Sequence, residues 1–153
     1  MDETELAAQL RLVLVPLVRQ LRLQNGPELT AGRASALATI SKAGPLTVGE
    51  LAEREHVSSP MITKIAKSLE EMGLVSRTVD DNDRRVTRLT LTPEGAKRLE
   101  RNRTRKNAWL AQQLRALGPD ERDALEAVVP VLERVVAQGR GANQGLPART
   151  SRP

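Results

Sequence analysis

The fold of this chain is decided by residues 46–92, LTVGELAEREHVSSPMITKIAKSLEEMGLVSRTVDDNDRRVTRLTLT. Thr47 and Glu50 have the spacing of a capping box, in which the hydroxyl and the carboxylate each accept a hydrogen bond from the other residue's amide. The apolar residues that follow lie at i, i+3 and i+4 on one face of a helix of about two turns; they are Val48, Leu51 and Ala52. Residues 55–58 break this pattern and predict a turn.

A second helix is predicted to start at Ser58 or Ser59, either of which can cap it, and to end at Gly73, where a left-handed residue is expected. Pro60 suits the first turn, because a missing N–H costs nothing there. One stripe of this helix is apolar and comprises Ile62, Ile65, Ala66, Leu69 and Met72. The opposite stripe is mostly polar and comprises Pro60, Thr63, Lys64, Lys67 and Glu71. This layout is typical of a DNA recognition helix, although a solvated helix face has the same pattern.

A β-hairpin is predicted next, because residues 74–79 and 86–91 are rich in Val, Leu and Thr and flank the turn-forming segment DDNDRR. Asp83 and Arg85 are spaced so that the carboxylate can hold the guanidinium in place. An arginine at such a tip can enter a minor groove, although a charged hairpin tip is more often only solvated. Helix, turn, helix and hairpin together predict a winged helix-turn-helix, with the hairpin as the wing.

The same stretch resembles the MarR family of bacterial transcriptional regulators. The similarity rests on the order of four segments, ELA, SSPMITKIAKSLEEMGLV, DDNDRR and LTLTPEG. It implies a homodimer whose N- and C-terminal helices interlock, and two DNA-binding lobes on a pseudo-palindromic operator. It also implies a sequence-specific transcriptional regulator, most often a repressor and often released by a small molecule, rather than an enzyme.

Ten residues are therefore the candidates for contact with double-stranded DNA. Those on the second helix are expected at the major groove, and those on the wing at the minor groove or nearby phosphates. They are Ser58, Ser59, Pro60, Thr63, Lys64, Lys67, Asp83, Arg84, Arg85 and Arg88.

The distribution of charged residues along the sequence is compatible with a second function. The net charge is +5, but residues 46–92 contain seven Lys and Arg against eight Asp and Glu. This slight acidity favours the alternative of a winged-helix module that binds protein without specific DNA binding. The basic excess lies in residues 93–117, where Lys97, Arg101 and Arg105 form a helical stripe. Such a stripe either flanks DNA or only solvates a long helix.

The flanking sequence predicts helices at residues 3–23, 30–41, 93–117 and 120–137, so the fold class is mainly α with a small β-hairpin wing. Leucine and valine stripes on the first and last helices are wider than one lobe would cover, which predicts dimerisation. The expected divisions are an N-terminal dimerisation helix (1–29), the DNA-binding lobe (30–95), C-terminal dimerisation helices (96–138) and a disordered tail (139–153).

Other residue types restrict the chemistry. The chain has no Cys, and its single His56 lies in the predicted turn, so no cofactor, metal site or catalytic set is expected. No segment has the length of a membrane span, and the N-terminus lacks a basic region before an apolar run, so a cytoplasmic protein is expected. Trp109 is the only aromatic residue. Packing is its default role, but the family resemblance adds a pocket where it could stack on a small aromatic effector.

Overall fold

The computed structural model of the chain describes residues 1–144. Its helices are α1 (Glu3–Leu23), α2 (Ala31–Ala43), α3 (Val48–Glu55), α4 (Ser59–Glu71), α5 (Pro93–Leu114) and α6 (Pro119–Gln144), and its strands are β1 (Val75–Val79) and β2 (Thr87–Leu91). The chain divides into two compact units. The first is Met1–Leu110, and the second begins at Ala111. Within the described part, no helix is both long and apolar enough to cross a membrane.

The hydrophobic core lies within the first unit, where α2, α3, α4 and the hairpin pack together. The apolar stripes predicted for α3 and α4 supply much of this core, since Leu51, Ile62 and Leu69 are each fully buried. The burial of these stripes is the main favourable contribution to folding, because apolar area removed from water stabilises at about 25 cal/mol per Å². The largest fully buried side chains are Leu29, Leu37, Ile40, Leu51, Ile62, Leu69, Leu74 and Leu89.

The wing is an antiparallel hairpin in which Arg77 lies opposite Leu89. Its strands begin one residue later than the predicted segments 74–79 and 86–91, so the hairpin prediction is confirmed. The outer edge of β2 is also paired. The amide of Leu46 donates to the carbonyl of Leu89 at 3.1 Å, and the amide of Leu89 donates to the carbonyl of Leu46 at 2.7 Å. These two bonds fix the wing to the segment that enters α3.

The ends of α3 and α4 follow the predicted local chemistry. Thr47 and Glu50 form both bonds of the capping box, at 2.8 and 3.1 Å. His56 ends α3 in the left-handed region, with φ 53°, which confirms its place in the turn. Ser58 is the N-cap residue of α4, but its side chain makes no capping bond there. Gly73 has φ 71° just beyond α4, as expected of a residue that must turn the chain sharply.

The junction between the wing and α5 is tightly packed. The Thr92 hydroxyl accepts from the amide of Gly95 at 3.0 Å and donates to the carbonyl of Gly73 at 2.6 Å. Gly95 is buried so close to Leu74 that an added Cβ would lie 2.0 Å from the Leu74 carbonyl oxygen. Only a glycine fits this approach without a shift of the backbone.

A second link joins α5 to the loop after α1. Asn102 and Asn25 are both 4% exposed, and the Asn102 amide donates to the Asn25 side-chain oxygen at 3.0 Å. At the surface nearby, Arg98 donates to Glu28 at 3.3 Å. These two polar pairs connect α5 to the loop between α1 and α2.

Three predicted boundaries need correction. Helix α2 continues two residues past residue 41, and α5 ends at Leu114 rather than at residue 117. The last helix does not stop at residue 137, because α6 runs to Gln144. Residues 139–144, the first part of the segment predicted to be disordered, form the end of α6 in the structure, and their two glycines, which each cost about 1 kcal/mol relative to alanine, do not end it. The rest of that prediction, residues 145–153, lies outside the described residues.

Candidate nucleic-acid interface

The polar face of α4 is open to solvent. Its predicted residues are all exposed, whereas Ile62, Ala66 and Leu69 on the opposite face are buried, so the two predicted stripes are confirmed. The exposed set comprises Ser58, Ser59, Pro60, Thr63, Lys64, Lys67 and Glu71. A helix held by its apolar face in this way presents its first two turns to a ligand as a rigid surface.

Individual groups on this face differ in what they can offer. The Thr63 hydroxyl donates to the carbonyl of Ser59 at 2.7 Å, so its oxygen lone pairs and its methyl group remain for a partner. No carboxylate among the described residues lies within ion-pair distance of Lys64, whose ammonium can therefore donate. Lys67 lies 3.9 Å from Glu71, but both side chains are highly exposed and such pairs contribute little.

The tip of the wing carries a braced arginine. Arg85 donates from Nε and Nη2 to the two carboxylate oxygens of Asp83, at 3.1 and 3.3 Å. The Arg85 side chain is 91% exposed, so it is held in place while its outer surface stays in solvent. The hydrogen bond from the Arg85 side chain, helped by the bond from its amide, lowers the pKa of Asp83 below its usual range. The brace expected from the spacing of these residues is confirmed, and Arg84 beside it is exposed.

Arg88 is placed differently from the other candidates. It is half-buried, with Nε 2.5 Å from Asp80 and Nη1 3.0 Å from Glu50. Neither of these carboxylates was predicted to have a partner on the wing. The spacing of Asp80 and Arg88 across a predicted hairpin was the available signal, since residues 79 and 87 pair across the strands. Nothing in the sequence indicated that Glu50 reaches the same arginine.

Both carboxylates that hold Arg88 have lowered pKa values. The pKa of Asp80 is lowered chiefly by its side-chain hydrogen bond from Arg88, and then by the amides of Asn82 and Asp83. For Glu50 the main cause of the lowered pKa is the Thr47 amide, with a smaller contribution from the charge of Arg88. Each carboxylate is therefore ionised near neutral pH, and each accepts hydrogen bonds both from backbone amides and from the Arg88 guanidinium.

The basic stripe on α5 is only partly available. Arg101 is paired with Glu94 at 2.8 Å, while Lys97 and Arg105 lie with it on one open face of α5, together with Glu100 and Thr104. Trp109 is half-buried further along α5.

The lobe formed by α2 to α4 and the hairpin is a winged helix-turn-helix. Its second helix exposes a polar surface with a cation near the start, and its wing exposes an arginine held by a carboxylate. Proteins of this class place such a helix in the major groove of DNA, where base edges can be distinguished.

Comparison with known proteins identifies the family. A sequence profile of the MarR family matches residues 29–87. An HTH-type transcriptional regulator of Mycobacterium bovis is 33% identical over 136 residues, which is 88% of this chain and 95% of that protein. The HTH-type transcriptional repressor MdtR of Bacillus subtilis is 37% identical over 93 residues, covering 61% of this chain and 60% of MdtR. A putative transcriptional regulator of Pseudomonas aeruginosa has a crystal structure with TM-score 0.78, 31% identity and coverage of 88% of this chain and 95% of that one.

The chain belongs to the MarR family, and it is a DNA-binding transcriptional regulator. Members of this family are not enzymes, which agrees with the expectation from the sequence.

Proposed function

We propose that this regulator is a repressor that binds a pseudo-palindromic operator as a homodimer. The observation that carries the proposal is the exposed polar face of α4 on a lobe whose wing presents the braced Arg85. In a dimer these two elements occur twice, and recognition helices in successive major grooves lie about 34 Å apart. The operator is then expected to contain two half-sites one helical turn apart.

The candidate residues take different roles in this proposal. Thr63 and Lys64 read base edges in the major groove, with Thr63 as an acceptor or methyl contact and Lys64 as a donor. Ser58, Ser59 and Pro60 bring the start of α4 to a phosphate, where free helix amides favour an anion, and Lys67 adds a positive charge. Arg84 and Arg85 reach the minor groove or its phosphates, and Asp83 orients Arg85. Arg88, the tenth candidate, is half-buried between two carboxylates and has no direct DNA contact in this arrangement.

The dimer is supported by apolar surface that this chain alone does not cover. No residue of α1 is buried, and Leu6, Leu10 and Val13, which share one face of α1, are 49%, 37% and 66% exposed. On α6, in the second unit, Leu125, Val129 and Val136 share one face and are 44%, 53% and 52% exposed. Contiguous apolar faces of this kind mark interfaces. We therefore assign residues 1–29 and 96–138 to dimerisation and residues 30–95 to DNA binding.

The sign of regulation and the effector are finer parts of the proposal. A relative that carries the name repressor supports repression. A small aromatic effector is proposed to release the DNA by stacking on Trp109, which is half-buried on α5; the competing role for Trp109 is packing. Because Trp109 is the single tryptophan of the chain, its fluorescence reports on that site alone. Quenching by aromatic carboxylic acids that also lowers DNA affinity would support the effector role, and quenching without any change in affinity would contradict it.

The experiment that tests the main proposal is DNA binding measured by fluorescence anisotropy. Fragments that contain the promoter of the protein's own gene are compared with shuffled fragments of the same composition in the presence of competitor DNA. We expect tighter binding to a promoter fragment and a footprint with two protected half-sites. Equal affinity for shuffled and promoter fragments would refute sequence-specific regulation.

The slight acidity of residues 46–92 is the basis for one alternative to sequence-specific repression, a regulator whose winged helix binds protein and contacts DNA without sequence preference. This alternative predicts that affinity for every DNA fragment is weak and that it follows ionic strength without sequence preference. The same titrations therefore separate the two functions.

A further inference from the structure

The wing is held to the helix-turn-helix by a side-chain bridge that centres on Arg88. From strand β2, Arg88 donates through Nε to Oδ2 of Asp80, at the end of β1, and through Nη1 to Oε2 of Glu50, in the first turn of α3. These partners lie 8 and 38 residues from Arg88 in sequence, so the bridge joins separate segments of the lobe. Arg88 lies opposite Thr78 and next to Leu89, the residue whose backbone is bonded to Leu46.

Each carboxylate of the bridge also fixes the local backbone. Oε2 of Glu50 accepts from the Thr47 amide at 2.8 Å, which completes the capping box of α3. Oδ1 of Asp80 accepts from the amides of Asn82 and Asp83, at 2.8 and 3.1 Å, which shapes the turn at the wing tip. Arg88 therefore connects the cap of α3 directly to the turn that carries Arg85.

The charges of the bridge argue against a phosphate contact by Arg88. One guanidinium faces two carboxylates, so the cluster carries a net negative charge, which repels a phosphate. The donors Nε and Nη1 are already used, and the Arg88 side chain is 32% exposed compared with 91% for Arg85.

We propose that Arg88 is a positioning residue that sets the orientation of the wing relative to the helix-turn-helix, and that it acts on DNA only through Arg85. This inference rests on the proposed DNA contact by the wing. It replaces a direct role for Arg88 with an indirect one, and it adds Glu50 and Asp80 to the groups on which DNA binding depends.

Two isosteric substitutions test the bridge without disturbing the backbone. Asp80→Asn keeps an oxygen for the amides of Asn82 and Asp83, but an amide NH₂ can replace the oxygen that accepts from Arg88. Glu50→Gln keeps the capping box, which glutamine supports as well as glutamate does, while it removes the charge that faces Arg88. Asp81→Asn is the matched control, because Asp81 is the exposed neighbour of Asp80 and the charge change is the same.

The sign of the effect distinguishes positioning from general electrostatics. Each substitution removes a negative charge from the lobe, so electrostatics alone would strengthen binding to DNA. If the bridge positions the wing, Asp80→Asn should weaken binding to the promoter fragment by about two- to tenfold, the range for the loss of one ordered polar contact. Glu50→Gln should weaken it less, because one oxygen remains as an acceptor. Asp81→Asn should leave the affinity unchanged or raise it slightly.

Two further variants show that the effect passes through Arg85. In an Arg85→Ala background, the loss caused by Asp80→Asn should largely disappear, because the contact that the bridge positions is absent. Arg88→Lys should not restore the affinity lost in Arg88→Ala, because a single ammonium cannot reproduce the fixed two-sided geometry of the guanidinium. If Arg88 instead contacted a phosphate directly, a lysine at this position would restore that contact.

The outcomes separate failure of this inference from failure of the proposed function. Far-ultraviolet circular dichroism and thermal unfolding first establish that each variant folds as the wild type does. If Arg85→Ala weakens binding but Asp80→Asn and Glu50→Gln bind as tightly as Asp81→Asn, the positioning role is refuted and the wing contact stands. If Arg88→Lys restores binding, Arg88 contacts phosphate after all. If Arg85→Ala itself binds like the wild type, the wing contact in the proposed function is refuted.

Discussion

A substitution at Gly95 should destabilise the protein although glycine is a poor helix former. In an ordinary helix position, replacing glycine with alanine stabilises by up to about 1 kcal/mol. At Gly95 the new Cβ would lie 2.0 Å from the Leu74 carbonyl oxygen and 2.9 Å from a methyl group of Leu91. The Leu74 carbonyl also accepts from the amide of Thr92 at 3.1 Å, so the backbone cannot move away without loss of that bond.

The expected magnitude depends on these two opposing effects. Overpacking in a well-packed core costs about 1–3 kcal/mol, and contact with backbone rather than with a flexible side chain places Gly95→Ala at the upper end. After the gain in helix propensity, a net loss of about 1–2 kcal/mol remains. For a chain of this size, that loss lowers the melting temperature by about 2–8 °C.

Thermal unfolding followed by circular dichroism measures this difference, with all variants at one protein concentration because the proposed dimer would make the melting temperature concentration-dependent. The matched control is Gly49→Ala on α3, where Gly49 is exposed and the nearest atom to an added Cβ is 3.9 Å away. We expect this control to melt at the same temperature as the wild type or higher. If Gly95→Ala melts no lower than Gly49→Ala, the close approach of α5 to Leu74 is refuted.

Arg85→Ala should reduce the slope of log affinity against log salt concentration by about one unit. Thr63→Ala combined with Lys64→Ala should instead relax the preference for defined base pairs by about 1–3 kcal/mol per lost contact. Affinities measured over operator variants and salt concentrations test both, and equal losses on every sequence for the double variant would contradict base reading. Leu132→Lys on α6 should produce monomers or aggregates in light scattering, and a stable wild-type monomer at micromolar concentration would refute the dimer. Arg88 lowers the pKa of Asp80, so the stabilisation by this carboxylate is present at neutral pH and is lost as the pH falls through the lowered value. The melting temperature of Asp80→Asn should therefore fall less than that of the wild type on acidification, and parallel profiles would show that the pair does not contribute.

Local patterns predicted the elements of this fold because each rests on a few neighbouring residues. The capping box of Thr47 and Glu50 predicted the start of α3, and the spacing of apolar residues in α4 predicted which of its faces is buried. The Asp83–Arg85 brace spans two residues and could be predicted from spacing alone. Boundaries that depend on the stability of a whole helix are not specified by local patterns, and the last helix continues past the residue where its apolar stripe stops.

Long-range polar contacts could not be predicted in the same way. The bond between Asn25 and Asn102 joins residues 77 positions apart, and its pattern in sequence is no different from that of two exposed asparagines. The closeness of Gly95 to Leu74 also depends on how α5 packs on the residue just before β1, which no local pattern specifies. Pairing across the fold is set by tertiary packing, so composition and periodicity contain little information about it.

The net charge of residues 46–92 was misleading for the same reason. The count of eight acids against seven bases in residues 46–92 favoured a partner other than DNA. In the structure, however, acids of this segment pair with its own bases; the pairs are Glu50 and Asp80 with Arg88, Glu70 with Arg77, Glu71 with Lys67 and Asp83 with Arg85. Among the described residues, three bases of this segment, Arg54, Lys64 and Arg84, are in none of these ion pairs, and neither are three acids, Glu53, Glu55 and Asp81. Because five of the eight acidic groups pair with bases of the same segment, its net charge is a poor measure of the surface it presents to DNA.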